Sequence, residues 1–455
     1  MEKAHEFNSS RSPRIDIDPA ALYHSGRNGG AGPRGEEMPI LSLKRCAAPA
    51  LFAACVIVSV VMDVFKPVPH GHRYGYAVVL SLALAAIWLL YEVRPTLVLS
   101  RAFLAAVLVA GLFFAGSELL LIRAKPHPEI VEYYASVFQA MREGKNPYTC
   151  GTIFHVAEFS TPVYGNFNYP PLEIFPYYLA FRATGIWGSA VMAAVNVALQ
   201  FLACLILLWT FPVVKRRLLL PFFPLLIFLE IHLSIALTLL VTALILLVVA
   251  RNRERPKPAH RFLIAALFGV GLMTKFLILP LMVGYYACQF DWKNLKSLGK
   301  IAVDGAVALA VAVAIMAPFG VGAVFRNTIA FNLILRDRAV LTTYFPNVLS
   351  GPFVWAGIGW LYPYAAVGIL AASVLVATRL RLFSALMLVP YAFLLVAPVP
   401  ERQYIPVILY IAVVGIVLSL KEKGADVMRR TAAAQGSPAR LDPASIGAIR
   451  SGSGR

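Results

Sequence analysis

Charged side chains are scarce in this sequence. They make up 14% of 455 residues, against 59% apolar, where an ordinary soluble domain carries about 25% charge. That scarcity excludes a soluble enzyme and a disordered chain. Cysteine is also rare, with five copies. Cys46, Cys55, Cys204 and Cys288 lie in or beside apolar segments, where a free thiol behaves as a small hydrophobe. Cys150 is alone in its loop, so no disulfide closes within that loop. A secreted disulfide scaffold is excluded. There is no glycine-rich phosphate loop ending in Lys and Ser/Thr, no HExxH and no CxxC pair. No cofactor is expected; a divalent metal is possible but not indicated, because acids at ligand spacing are few. No short apolar stretch with a small-residue cleavage site follows a basic start, so no removable signal peptide is expected.

What is present is a series of apolar runs of about 20 residues, each long enough to cross a hydrocarbon core. Spans are expected at 47–65, 75–91, 101–123, 187–211, 218–231, 233–250, 261–275, 277–290, 300–318, 353–378, 382–398 and 403–420. The pairs 218–250 and 261–290 can each also be read as one long kinked helix. The expected fold is therefore all-α, a polytopic membrane protein of about 12 helices. A single membrane domain over 47–420 is flanked by two polar, disordered tails, 1–46 and 421–455. Residues 171–183 are apolar but brief and proline-flanked, which reads as a re-entrant or interfacial helix.

The net charge of +18, from 41 basic and 23 acidic residues, is explained by the positive-inside rule, without a nucleic-acid partner. With both termini cytoplasmic, most basic residues fall in the tails and in cytoplasmic turns. The least arbitrary anchor is the cluster Arg251, Arg253, Arg255, Lys257 and Arg261. The expected location is a bacterial inner or plasma membrane.

The outer side then collects the chemistry. Loop 124–170 carries Glu129, Glu132, Tyr133, Tyr134, Asn146, Tyr148, His155, Glu158, Asn168 and Tyr169. Loop 319–352 carries Arg326, Asn332, Arg336, Asp337, Arg338, Tyr344 and Asn347. Glu230, His232, Lys275, Glu401, Arg402 and Gln403 add to that face. A long loop rich in aromatics is structured rather than disordered. Residues 129–143 form an amphipathic helix, because Ile130, Tyr133, Tyr134, Val137, Phe138 and Met141 fall on one face. Glu129 opens it, where a carboxylate suits the helix dipole. The plain reading of Glu129 is a helix cap. Glu132 sits at the capping-box position. Gly144 ends the helix, and Asn146 before Pro147 is held extended.

An acid, a Tyr-Tyr pair, Gly-x-Asn-Pro-Tyr (Gly144 to Tyr148) and Tyr-Pro-Pro (Tyr169 to Pro171) in one outer loop resemble the GT-C membrane glycosyltransferases. The similarity is greatest to the polyprenyl-phosphate-mannose-dependent mannosyltransferases of family 87. Thr274-Lys275 resembles a lysine that family often has in an apolar helix. Arg336 to Arg338 with Tyr344, Asn347 and Ser350 resembles its later outer loop. The family has Asp where this chain has Glu129, and it places that acid after its first span rather than a third. The resemblance covers roughly 97–420.

The resemblance implies an inverting transfer of a sugar, mannose in the nearest branch, from a polyprenyl-phosphate donor to a hydroxyl on a lipid or glycan acceptor. It implies an active site on the outer face, with membrane lipids as surroundings. Such a transfer needs a base for the acceptor proton, and Glu129 is the first candidate, with Glu132 beside it. Cations must take up charge developing on the leaving phosphate: Lys275, Arg336, Arg338 and Arg402 are candidates. An ionisable group inside an apolar stretch defaults to function; the plain alternative for Lys275 is snorkelling. His232 is a candidate for orienting a carboxylate or binding phosphate, though a satisfied interfacial histidine is the commoner case. Tyr148, Tyr169, Tyr344 and Asn347 are candidates for lining the sugar or lipid groove, against the aromatic belt as the ordinary explanation. The competing readings are a transporter or lipid flippase, a different GT-C transferase such as an aminoarabinose or oligosaccharide transferase, and a non-catalytic scaffold.

Overall fold

The computed structural model describes residues 101–124, 129–156, 162–211, 218–228, 231, 234–292, 294, 296–335, 353, 356–396 and 407–415. Both tails and the expected spans 47–65 and 75–91 lie outside the described residues.

The chain is mostly helical. Helix α1 is Arg101–Ala124 and α2 is Glu129–Arg142. Helix α3 is Pro171–Thr184, α4 is Ser189–Thr210 and α5 is Phe223–Phe228. Then come α6 (Ala236–Glu254), α7 (Pro258–Leu272), α8 (Ile278–Ala287) and α9 (Lys296–Met316). The described part closes with α10 (Tyr362–Ala377), α11 (Leu382–Val396) and a helical segment at 407–415. By length and composition, four helices among the described residues are able to cross a membrane: Ser189–Thr210, Ala236–Arg253, Lys296–Phe319 and Gly359–Ala377. Leu104–Leu120, Pro258–Leu272, Ile278–Ala287 and Leu382–Leu394 are shorter apolar helices. Phe113 on α1, Leu309 on α9 and Val367 on α10 are more than half exposed. Apolar surface of that extent is costly in water and ordinary in lipid. This is a membrane protein.

Backbones approach closely where glycine permits. A Cβ on Gly269 of α7 would sit 2.4 Å from the Ala308 carbonyl of α9. One on Gly284 of α8 would sit 2.7 Å from the Ala385 carbonyl of α11. Small residues at helix contacts are the usual solution in lipid, where no hydrophobic drive pushes helices together.

Between α7 and α8 the chain turns back on itself. Phe268 of α7 lies 5.5 Å from Tyr285 and 5.9 Å from Tyr286 of α8, ring centre to ring centre. A continuous helix would hold those positions roughly 25 Å apart at its rise per residue. The 261–290 stretch is therefore a helical hairpin, not one kinked helix, and Lys275 is at its tip. The tip is stabilised by Thr274, whose hydroxyl donates to the Gly271 carbonyl at 2.7 Å.

Three expectations are corrected. The fold is not purely all-α: strands β1 (Ile153–Val156) and β2 (Pro162–Gly165) pair antiparallel, Phe154 opposite Tyr164. Their aromatic and β-branched residues suit a pleated ribbon better than a loop. The 218–231 span is interrupted: residues 218–219 are helical, Leu220–Phe222 is a 3₁₀ turn containing Pro221, and the six-residue helix α5 follows. Segment 319–352 begins helical rather than as a loop. Val321–Val324 is one turn of α-helix, and Phe325–Leu335 is a π-helix.

The described residues hold two main apolar clusters. One is the interior of the bundle, built mainly from α4 to α8, α11 and 407–414. The other is an aromatic cluster in which α2, α3, Tyr148 and Phe167 pack on Met273, Met316 and Val324.

Candidate functional site

Helix α2 forms where the apolar spacing places it, and it buries the expected stripe. Tyr133, Tyr134, Val137 and Phe138 are buried, while Ile130 and Met141 are partly so. Gly144 takes the left-handed conformation, φ 71°, and ends the helix. Asn146 then clamps the turn from both ends of its amide. Its Oδ1 accepts the Tyr148 N–H at 2.9 Å, and its Nδ2 donates to the Phe319 carbonyl at 2.7 Å. Asn327, in the π-helix, donates to the Tyr148 carbonyl at 2.9 Å. The loop after α2 and the segment after α9 are thus joined by side-chain amides.

The Tyr169-Pro170-Pro171 step starts α3. Pro170 is extended and Pro171 occupies the first turn, where a missing N–H costs nothing. The Leu172 N–H donates to the Met273 carbonyl at 2.9 Å, docking the helix start on the α7–α8 tip. Glu173 follows in the first turn, where the dipole favours a carboxylate. At 14 residues, α3 is shorter than the roughly 20 needed to cross a bilayer, as expected of an interfacial or re-entrant helix.

Glu173 is 1% exposed and Lys275 is 6% exposed. The carboxylate's Oε1 accepts three donors: the Tyr134 hydroxyl at 2.7 Å, the Ser234 hydroxyl at 2.5 Å and the Lys275 ammonium at 3.2 Å. Its Oε2 is buried and bonds to nothing among the described residues. Lys275 also donates to the Ser234 carbonyl at 3.2 Å and lies 5.5 Å from the Tyr169 ring centre. Burial raises the Glu173 pKa above the ordinary carboxyl value, with Lys275 the largest opposing influence. Burial, then the nearby Glu173, pushes the Tyr134 hydroxyl well up, so it stays a donor. Tyr133 donates to Asn168 Oδ1 at 2.8 Å, and the Trp187 indole donates to the Val131 carbonyl at 2.7 Å. Helix α2 is therefore tied to α3 and its flanks at three points.

The structure brings four of the motif segments together: Tyr133–Tyr134, Asn146–Tyr148, Tyr169–Pro171 and Thr274–Lys275. It alters what two of them do. Lys275 neither snorkels nor stands free; its charge faces Glu173. Tyr148 is 1% exposed and its hydroxyl donates to the Tyr169 carbonyl at 2.7 Å, so it backs the site rather than facing a ligand. Tyr169 is half-buried among Tyr133, Tyr134 and Phe167. Glu132 is exposed, unlike the buried Tyr133 and Tyr134. Of Glu129 only the backbone is described, as the first residue of α2. His232, Arg336, Arg338, Tyr344, Asn347 and Arg402 lie outside the described residues.

Sequence reasoning missed Glu173, Ser234 and Asn327. The signal for Glu173 was present: an acid in an apolar run, judged by the rule applied to Lys275, is a functional candidate. Comparison with known protein families, with curated proteins and with solved structures returned no match.

Proposed function

We propose that this protein is an inverting membrane glycosyltransferase of GT-C type. It moves a sugar, mannose by the nearest resemblance, from a polyprenyl phosphate to a hydroxyl of a lipid or glycan acceptor on the outer face. One observation carries the reading. Four of the stretches that resemble the family, Tyr133–Tyr134, Asn146–Tyr148, Tyr169–Pro171 and Thr274–Lys275, form one cluster beside the short helices α2 and α3. A transporter site lies instead at mid-membrane between repeats.

In the proposed reaction the acceptor oxygen attacks the anomeric carbon as the bond to the phosphate oxygen breaks. The phosphate leaves with the electron pair. Glu129 takes the acceptor's proton, and Arg336, Arg338 and Arg402 meet the charge on the phosphate. The test adds labelled polyprenyl-phosphate mannose to membranes containing wild type or Glu129→Gln. The wild type is expected to label a lipid or glycan, and the variant to lose about 100-fold or more, the scale of a lost general base. Equal transfer by both removes Glu129 from the mechanism. Movement of intact donor across the bilayer without transfer favours a flippase.

A further inference from the structure

Glu173 has no role in the reaction as drawn, yet its buried carboxylate accepts donors from three other parts of the fold. One oxygen receives donors from α2, from the turn before α6 and from the α7–α8 tip, while Glu173 itself opens α3. Tyr134, one of those donors, lies on the helix whose first residue is Glu129. Lys275, the opposing charge, sits under the Tyr169 ring, and Tyr169 also packs on Tyr133 and Tyr134. A shift of the carboxylate is therefore felt at α2 through two routes, a hydrogen bond and a ring contact.

We infer that Glu173, balanced by Lys275, is the positioning residue of the outer site, holding α2 where Glu129 meets the acceptor. The inference rests on the glycosyltransferase reading and deepens it. Lys275 acts through Glu173 rather than on the phosphate. Both are thereby positioning residues rather than catalytic ones. Removing one charge leaves the other buried and uncompensated, and the lobe shifts to relieve it. A displacement near 1 Å at a reacting group lowers turnover by roughly 100-fold.

Glu173→Gln, Lys275→Met and the double variant are compared with wild type, with kcat expressed per folded molecule from size-exclusion profiles. The donor is labelled polyprenyl-phosphate mannose in membranes. Each single variant is expected to lose about 10- to 100-fold in kcat with the donor KM within about twofold. The double variant, with no stranded charge, is expected to be no worse than either single. Unchanged kcat per folded molecule in Glu173→Gln reduces the pair to a structural one and overturns the inference. A donor KM raised about tenfold in Lys275→Met alone assigns Lys275 to substrate and also overturns it. Where wild type transfers no sugar, the reaction assignment falls separately. Amide exchange across Glu129 to Tyr134 then decides: faster exchange in Glu173→Gln supports the positioning role, and unchanged exchange ends it.

Discussion

Tyr134 is the residue through which α2 touches the buried charge, and it separates packing from hydrogen bonding cleanly. Tyr134→Phe keeps the ring among Tyr177, Tyr169 and Trp187 and removes one donor to Glu173. Thermal unfolding in detergent is expected to show a loss of about 1.5–3 kcal/mol, the range for a hydrogen bond to a charged group; no change means the bond is formed equally well in the unfolded chain. Glu173 also predicts a pH dependence. Its folded value lies above the ordinary 4.5, so the folded chain holds this proton more tightly than the unfolded one. Its contribution to stability is fully present below 4.5 and is lost as pH climbs from there through its own raised value. Glu173→Gln is expected to flatten that part of the melting-temperature profile, and an unaltered slope assigns it to other groups. Lys275 was legible because a lone cation in an apolar run is conspicuous. Its partner was not, because Pro170 and Pro171 direct attention to the turn and Glu173 then reads as a helix-start acid. Only the meeting of residues 102 positions apart distinguishes the two.

Helix positions followed closely from the length of apolar runs and, for 129–143, from hydrophobic periodicity. The 129–143 stripe became α2, 187–211 became α4, and 382–398 became α11, because each stretch has one face or one environment to satisfy. What periodicity does not carry is how consecutive helices meet. The hairpin at Lys275 depends on Phe268 packing on Tyr285 and Tyr286, a non-local choice. The β1–β2 ribbon is four residues a side, too short for alternation to stand out. Helix contacts yield a paired prediction. Gly269→Ala drives a methyl into the Ala308 carbonyl and is expected to cost about 1–3 kcal/mol. Gly305→Ala, on the same neighbouring helix α9 with nothing within 4 Å, is expected to gain about 0.5–1 kcal/mol by restoring helix propensity. Melting both variants in one detergent checks the contrast; similar values for the two place the α7–α9 contact elsewhere.

At the scale of the whole molecule, charge is distributed by end. Helix α6 starts beside Ser234, at the Lys275 tip, and finishes in Arg251 and Arg253; Lys257, Lys296 and Lys300 are exposed near the far end, where Arg261 pairs with Asp304 at 2.7 Å and donates to the Lys300 carbonyl. In the proposed orientation that far end is the cytoplasmic one and the aromatic lobe is outside. In intact cells, an impermeant maleimide is expected to label a chain whose only cysteine is the half-buried Cys150. It is expected to reach Lys257→Cys in a cysteine-free chain only after the membrane is opened. The reverse pattern inverts the orientation. Sequence located this lobe and its aromatic content, but its packing depends on Asn146 reaching Phe319 and Asn327 reaching Tyr148, links that no local pattern encodes. The separation between Glu173 and Lys275 also has a temporal meaning. During synthesis the acid leaves the ribosome 102 residues ahead of the lysine, which at about 5–20 residues per second is an interval of about 5–20 s. Throughout that interval the nascent chain holds an uncompensated carboxyl beside the bilayer, so biogenesis of the lobe is completed only when the later hairpin is inserted.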